Sequence, residues 1–343
     1  MATVDLAEYT TMHVGGPARE FIAAHSEQEL TDAALEVWGK GDELLVLGGG
    51  SNVVIADDGF DGTVLHVETR GIEHLAAEEG AVRLRVAAGE PWDELVAYTV
   101  EQGWSGIEAL SGIPGSSGAA PIQNIGAYGQ ELSSTLTAID FLDYDSGLVE
   151  RVTADDLGLA YRTSSIKRGR QGIVVAIELR LQDADTTVAG YDQLAAALGV
   201  DVGARVAVAE VRERVLALRA SKGMVLDPND QDSVSCGSFF TNPIVSENFA
   251  RSLPSEAPRW LEPDDVNVKL SAAWLIERAG IPRGFSLPGS HAAISSKHTL
   301  AITNRGGATA AEVAELARYV RTRVLAQFGV LLHPEPNLIG VSV

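Results

Sequence analysis

The chain has 343 residues, 45% of them hydrophobic and 21% charged. That profile leaves little room for extended disorder and suffices to bury a core without disulfide or metal staples. Lys and Arg total 26 against 47 Asp and Glu, a formal charge of −21, so a generic phosphate-backbone binder is excluded as a first reading. Cys236 is the one cysteine, which rules out an intrachain disulfide and a cysteine-built zinc site. The opening MATVDLAEYT lacks the basic and apolar regions of a secretory leader, and no apolar run reaches the roughly 18 residues of a membrane span. A cytoplasmic protein is expected. At roughly 150 residues per domain, the length suggests two or three domains.

In chain order, Ser26 to Glu29 fits a capping box, with Leu30, Ala33, Ala34 and Val37 following at helical spacing and Gly39 and Gly41 closing the helix. Leu44 to Leu47 reads as a buried strand, Gly48 to Asn52 as a loop, Val53 to Ala56 as a second strand and 57–62 as a turn. Residues 83–103 read as strand, turn and helix, with Pro91 at the helix entry and Gly103 at its exit. The stretch 111–129, SGIPGSSGAAPIQNIGAYG, is too apolar for a solvated linker. Strands are expected at 136–142 and 173–181, and a helix after Ala207. The acidic segment 227–233 is the best candidate boundary. Thr309 and Glu312 open a long helix that Gly329 ends, and extended chain follows. The mixture is α+β.

The loop after Leu47 is not a Rossmann turn. Gly48 and Gly50 fit the first two glycines of G-x-G-x-x-G, but the third position is Val53 and the chain continues as strand. No G-x-x-x-x-G-K-[ST] occurs. What remains is two loops poor in side chains, whose consecutive N–H groups can cradle a diphosphate. A hairpin turn or a packed structural loop explains each about as well.

Arg162, in AYRTSSIKRG, is a candidate carboxylate fork, although a salt bridge is the commoner use of such a residue. Ser238, in SCGSFFTNP, follows a small-residue bend that could present its hydroxyl to a pocket; an apolar strand after a turn explains it equally. Glu335 stands between Pro334 and Pro336, either exposed at a bend or deliberately buried. Cys236 reads as a small buried thiol, not a nucleophile. The seven histidines form no metal-binding pair, and no metal is expected.

Taken together, TTMHVGGPA (10–18), LGGGSNVVIADDGFDGTV (47–64), GIEALSGIPGSSGAAPIQNIGAYGQE (106–131), AYRTSSIK (160–167), GSFFTNP (237–243), KLSAAWLIERAG (269–280) and HPEPNLIG (333–340) resemble one family, UDP-N-acetylenolpyruvoylglucosamine reductase. The resemblance runs almost the whole chain. It implies a two-lobed FAD-binding fold of the vanillyl-alcohol-oxidase (PCMH) class with a C-terminal α+β substrate domain. The expected boundaries are 1–65 and 66–225 for the lobes and 226–330 for the substrate domain, the tail 331–343 returning to the first lobe.

The resemblance also implies non-covalent FAD, NADPH as hydride donor, and reduction of the enolpyruvyl ether of UDP-N-acetylglucosamine in peptidoglycan precursor synthesis. On it, the FAD contacts are Gly48, Gly49, Gly50, Ser51, Asn52, Gly112, Pro114, Gly115, Gly118, Ala119, Gln123, Asn124, Gly126, Ala127 and Tyr128. Arg162 matches the carboxylate-binding residue, Ser238 the proton donor and Glu335 the carboxyl beside the developing enolate. Tyr161, Tyr191, Lys222 and Asn242 match substrate-site positions. Tyr191, in AGYDQLAAAL (189–198), corresponds to the substrate-closing tyrosine of the longer type. Asn337 and the stretch LPGSHAAIS (287–295) depart from the family pattern. Partners implied are small molecules only, with no nucleic acid or membrane, acting on a monomer. Two rivals stand beside this reading: a flavin oxidase of alcohols or sugars on the same fold, and a non-catalytic nucleotide-sugar binder.

Overall fold

A computed structural model describes residues 4–262, 264 and 266–343; the first three residues of the expected 1–65 lobe, and residues 263 and 265 of the expected 226–330 domain, lie outside them. The chain divides into two compact units. The first comprises Met1–Val4, Ala18–Gly50 and Asp61–Ser221; the second comprises Asp5–Pro17, Ser51–Phe60 and Lys222–Val343. The chain passes from one to the other between Ser221 and Lys222, ahead of the acidic segment 227–233.

The first unit is built on a five-stranded antiparallel sheet, in the order Val149–Thr153, Leu136–Asp143, Gly172–Gln182, Ala81–Ala87, Ile72–Leu75. Gly172–Gln182 lies in the middle, and its run of buried positions explains why it reads as continuous apolar sequence rather than an alternating one. The helix Trp92–Glu101 packs Trp92, Leu95 and Val96 onto Ile139, Phe141, Ile177 and Leu179. A second sheet holds Pro17–Ala24, Phe60–Val67 and Leu44–Leu47, the last two parallel. The helix Glu27–Lys40 buries Leu30 and Ala34 against a cluster holding Leu65, Ile173 and Val175.

The expected capping box of that helix is half right. Ser26 accepts from the Glu29 amide, but the Glu29 carboxylate reaches back to the amide of His25, one residue beyond the cap. Gly41 ends the helix in the left-handed conformation.

The second unit holds two three-stranded sheets. One runs Ser235–Ser238, Ala301–Asn304, Ala292–Ile294; the other runs Ile244–Ser246, Asn267–Leu270, Arg259–Leu261. The helix Ala310–Phe328 carries the full capping box of Thr309 and Glu312 and stops at left-handed Gly329. Its inner face, Val313, Leu316, Ala317, Val320 and Val324, packs into a core with Phe239, Leu275, Ile276 and Ile302. The closing strand Asn337–Ile339 runs parallel to Val53–Ile55, and the Asn337 amide donates to the Asn52 carbonyl at 2.9 Å. That pairing brings the chain end back to the first glycine loop.

Candidate active site

In the first unit, the two glycine loops meet. A Cβ on Gly49 would lie 2.8 Å from the Gly115 Cα, and one on Gly48 would lie 2.3 Å from Ser116 Oγ. The missing side chains therefore permit loop-on-loop contact, a stricter requirement than turn geometry alone. Gly115 also has φ +123°, a conformation that L side chains rarely adopt.

Several amides of the second loop serve the fold. Gly112 donates to Asp93 Oδ1, Gly118 to the Ala88 carbonyl, Ala119 to Ser116 and Asn124 to Pro121. The Asn124 side chain is likewise bound on both ends, by Ser133 N–H and toward Glu131 and the Ala160 carbonyl. These four amides are thus committed within the protein.

Other groups of the loops are not committed in this way. Among the described residues, no protein acceptor takes the N–H of Gly49, Gly50, Gly115 or Ser116, and Gly50 and Ser116 are buried. Ser117, fully buried, has a hydroxyl with no hydrogen-bond partner in the protein. A buried hydroxyl and neighbouring donor N–H groups without acceptors fit an anion with many acceptor oxygens. A diphosphate fits that description. Ser116 and Ser117 are functional candidates that sequence reasoning missed; the SS pair beside Gly115 was the available signal.

Asp93 anchors this loop from below. Burial pushes its carboxyl up, but the Arg212 fork (2.6 and 2.9 Å) and the Gly112 amide outweigh that and hold it below the usual carboxylate range.

Arg162 lies on a tight turn with φ +53°, and Asn124 and Tyr128 opposite it are also left-handed, at +49° and +48°. Three such residues in one place store strain of the sort found at ligand sites. The Arg162 guanidinium donates to the Gly126 carbonyl at 2.6 Å and to that of Asn124 at 3.4 Å, and it lies 5.3 Å from the Tyr161 ring centre. Ala127 pairs within a short hairpin, 126–127 with 130–131. Burial raises the Tyr128 phenol above its ordinary value. Its ring meets Tyr191 edge-on at 6.2 Å. Tyr191 caps the helix Asp192–Leu198 and is 44% exposed, so its phenol can reach a ligand from the surface.

In the second unit, Ser238 ends a strand interrupted by a bulge, with left-handed Gly237 just before it. The bulge re-aims the Ser238 side chain, while Phe239 and Phe240 are buried and pin the strand end. Ser238 Oγ lies 3.2 Å from His298 Nε2. His298 was not singled out in the sequence, because the contact spans 60 positions. Glu335 comes alongside by backbone pairing. Its amide donates to the Phe239 carbonyl at 2.9 Å, the Thr241 amide donates to that of His333 at 3.1 Å, and Asn52 Nδ2 donates to the Glu335 carbonyl at 3.4 Å. Ser238 and Glu335, nearly a hundred positions apart in sequence, thus occupy adjoining segments.

Asn242 uses its side-chain oxygen to accept from Ala272 N at 3.0 Å, at the start of the helix Ala272–Arg278. Lys222 begins the last segment of the second unit and is half-buried. The Cys236 thiol donates to the Val53 carbonyl, and burial pushes its pKa up to about 12, so it is an unreactive core thiol as expected.

The acidic segment 227–233 is exposed over Asp227, Pro228 and Asn229 but is tied down at its end, where Asp232 and Ser233 are buried. Asp232 accepts from Ser296 N and Oγ and from Arg305, and Asp230 pairs with Lys297. Among the described residues, no cluster of His, Cys, Asp or Glu is placed to hold a metal, and no helix is long and apolar enough to cross a membrane.

One unit with side-chain-poor loops that suit a diphosphate, and a second α+β unit, fit a nucleotide-binding protein, and comparison with known proteins identifies the nucleotide as FAD. A model described as FAD binding domain matches residues 18–153, and one described as UDP-N-acetylenolpyruvoylglucosamine reductase, C-terminal domain, matches residues 227–339. Curated proteins named UDP-N-acetylenolpyruvoylglucosamine reductase are similar over almost their whole length. That of Leifsonia xyli is 58% identical, covering 98% of both chains, and that of Saccharopolyspora erythraea is 51% identical, covering 98% of this chain and 95% of the other. The crystal structure of the reductase from Thermus caldophilus superposes with a TM-score of 0.66 at 27% identity, covering 98% of each chain. The chain belongs to the UDP-N-acetylenolpyruvoylglucosamine reductase family.

Proposed function

We propose that the protein reduces the enolpyruvyl ether of UDP-N-acetylglucosamine to UDP-N-acetylmuramate at the expense of NADPH, in the cytoplasmic synthesis of peptidoglycan precursors. The observation that carries this reading, beside family membership, is the backbone pairing that brings the Glu335 segment alongside the strand of Ser238. When bound, FAD supplies a carrier that accepts hydride from NADPH and delivers it to the terminal methylene carbon of the substrate.

The protein's own residues handle the phosphates, the charge and the proton. Gly49, Gly50, Gly115, Ser116 and Ser117 hold the cofactor pyrophosphate through N–H and hydroxyl donors. Gly48, Ser51, Asn52, Gly112, Pro114, Gly118, Ala119, Gln123, Asn124, Gly126, Ala127 and Tyr128 shape the walls of that site. Arg162, its guanidinium fixed by backbone carbonyls, meets the substrate carboxylate and counters charge that develops there. Glu335 is neutral or shares a proton when that charge appears, since an ionised carboxylate would oppose it. Ser238 gives its hydroxyl proton to the carbon next to the carboxylate. Tyr161, Tyr191, Lys222 and Asn242 contact the diphosphate and sugar, Asn242 through the amide nitrogen that its helix contact leaves over. The functional parts remain 1–65 with 331–343, 66–225 and 226–330, and the protein acts as a monomer on small molecules.

Turnover tests the reading. Protein purified with its yellow cofactor should turn over NADPH, beyond the one equivalent that reduces the flavin, only when the enolpyruvyl nucleotide is added, and mass spectrometry should show a product heavier by two hydrogens. NADPH consumption driven by oxygen at full rate without that nucleotide would point to an oxidase instead.

A further inference from the structure

We propose that His298 is a positioning residue for proton delivery: its Nε2–H donates to Ser238 Oγ, so that the serine's own proton is left for the substrate. The inference rests on the reading of Ser238 as the donor. Oγ and Nε2 are 3.2 Å apart, at the outer limit of the distance used by acid–base pairs. A hydroxyl and an imidazole can bond in either direction. If Ser238 donated to an unprotonated Nε2, its one proton would be tied up in the protein. With Nε2 protonated, the hydroxyl accepts from His298 and its O–H is free to turn to the reacting carbon.

The imidazole is held where this argument needs it. His298 lies in the turn between the strands Ala292–Ile294 and Ala301–Asn304, its amide donating to Ser295 Oγ and its carbonyl accepting from Ala301 N. Each neighbour in the turn is fixed by a separate partner. Ser296 binds Asp232 through N and Oγ, at 2.8 and 2.5 Å; Lys297 binds Asp230 at 2.7 Å; Thr299 Oγ1 binds Glu277 at 2.5 Å. Asp232 is in turn bound by Arg305 at 2.9 Å. The acidic segment therefore acts as an anchor for the histidine turn. The Ser238 side of the contact is fixed by the Gly237 bulge and by Phe239 N–H donating to the Leu300 carbonyl at 2.7 Å.

The proton step balances within these groups. The O–H bond of Ser238 breaks as the C–H bond forms, the electron pair stays on Oγ, and the Nε2–H stabilises the charge left there. Water returns the proton to Oγ after the product has left.

Two measurements test it. In a long-range ¹⁵N–¹H spectrum of the holoenzyme labelled at histidine, the signal lost in His298→Gln should show Nε2 protonated; an unprotonated Nε2 overturns the proposal. In anaerobic stopped-flow, His298→Ala should slow substrate-driven reoxidation of the flavin by roughly ten- to a hundredfold, the worth of a hydrogen bond to a group gaining charge. Flavin reduction by NADPH and substrate affinity should hold, and His298→Gln, whose amide can donate, should recover part of the rate. In a Ser238→Ala background the same change should add nothing. A His298→Ala variant at wild-type rate, or an equal slowing in both backgrounds, overturns the role of His298. If instead Ser238→Ala itself reoxidises within tenfold of wild type, the reading of Ser238 as donor is what has failed.

Discussion

The amide of Glu335 donates to the carbonyl of Phe239 at 2.9 Å, so the residue next to Ser238 fixes the position of the Glu335 backbone. This one bond registers the backbone of Glu335 against the strand end that carries Ser238. In the proposed mechanism Glu335 faces developing enolate charge, and there a carboxyl must be neutral to help. Glu335→Gln, a neutral isostere, should therefore keep more of the substrate half-reaction than Glu335→Ala. Equal rates for the two variants would show that the proton on Glu335 is not what matters.

Arg162→Lys separates charge from geometry. The guanidinium binds the Gly126 and Asn124 carbonyls and has a planar face for a carboxylate; an ammonium is a point charge and cannot reproduce that set of contacts. The variant should still be reduced by NADPH but should pass hydride to substrate slowly. Wild-type turnover would remove Arg162 from the mechanism.

Gly49→Val tests the loop contact. Its side chain would be driven into the backbone of Gly115, which lies 2.8 Å from the position of a Cβ. The protein should purify folded, by circular dichroism, and largely colourless. Full flavin content at 450 nm would mean that the contact between the loops does not hold the cofactor site together.

Acid should weaken the first unit in a defined way. The hydrogen bond from Arg151, with support from Arg83, holds the Glu178 carboxyl below its ordinary value. A carboxyl with a lowered folded-state pKa contributes stability above its unfolded value, near pH 4.5, and loses it as pH falls through the folded one. Urea midpoints of Glu178→Gln should lie below wild type at pH 7 and converge with it toward pH 3. An offset that did not change with pH would contradict the assignment.

Local elements were legible because local physics determines them. The helix at 310–328 shows itself through Thr309, Glu312, its apolar stripe and Gly329, all within one segment. The strand around Ile177 shows itself through continuous burial. The candidate residues can be named from the sequence, but the contacts that group them cannot. The segments of Ser238 and Glu335 come together only through strand pairing, and Ser238 meets His298 in a turn that Asp230 and Asp232 of the boundary segment 227–233 tie down through Lys297 and Ser296. The second glycine loop misleads in the other direction. Its sequence offers a row of amides, but Gly112, Gly118, Ala119 and Asn124 donate within the protein, and the donors left over include the Ser116 amide and the Ser117 hydroxyl.

The most direct test of the account is the second half-reaction, followed in the absence of oxygen. Holoenzyme reduced with one equivalent of NADPH is mixed with the enolpyruvyl nucleotide, and the 450 nm absorbance is recorded for wild type and for Ser238→Ala. The account predicts rapid recovery in wild type and recovery slower by ~10²–10⁴-fold in the variant, with reduction by NADPH nearly the same in both. Failure of the wild-type absorbance to recover, or a variant that recovers within about tenfold of wild type, would contradict it.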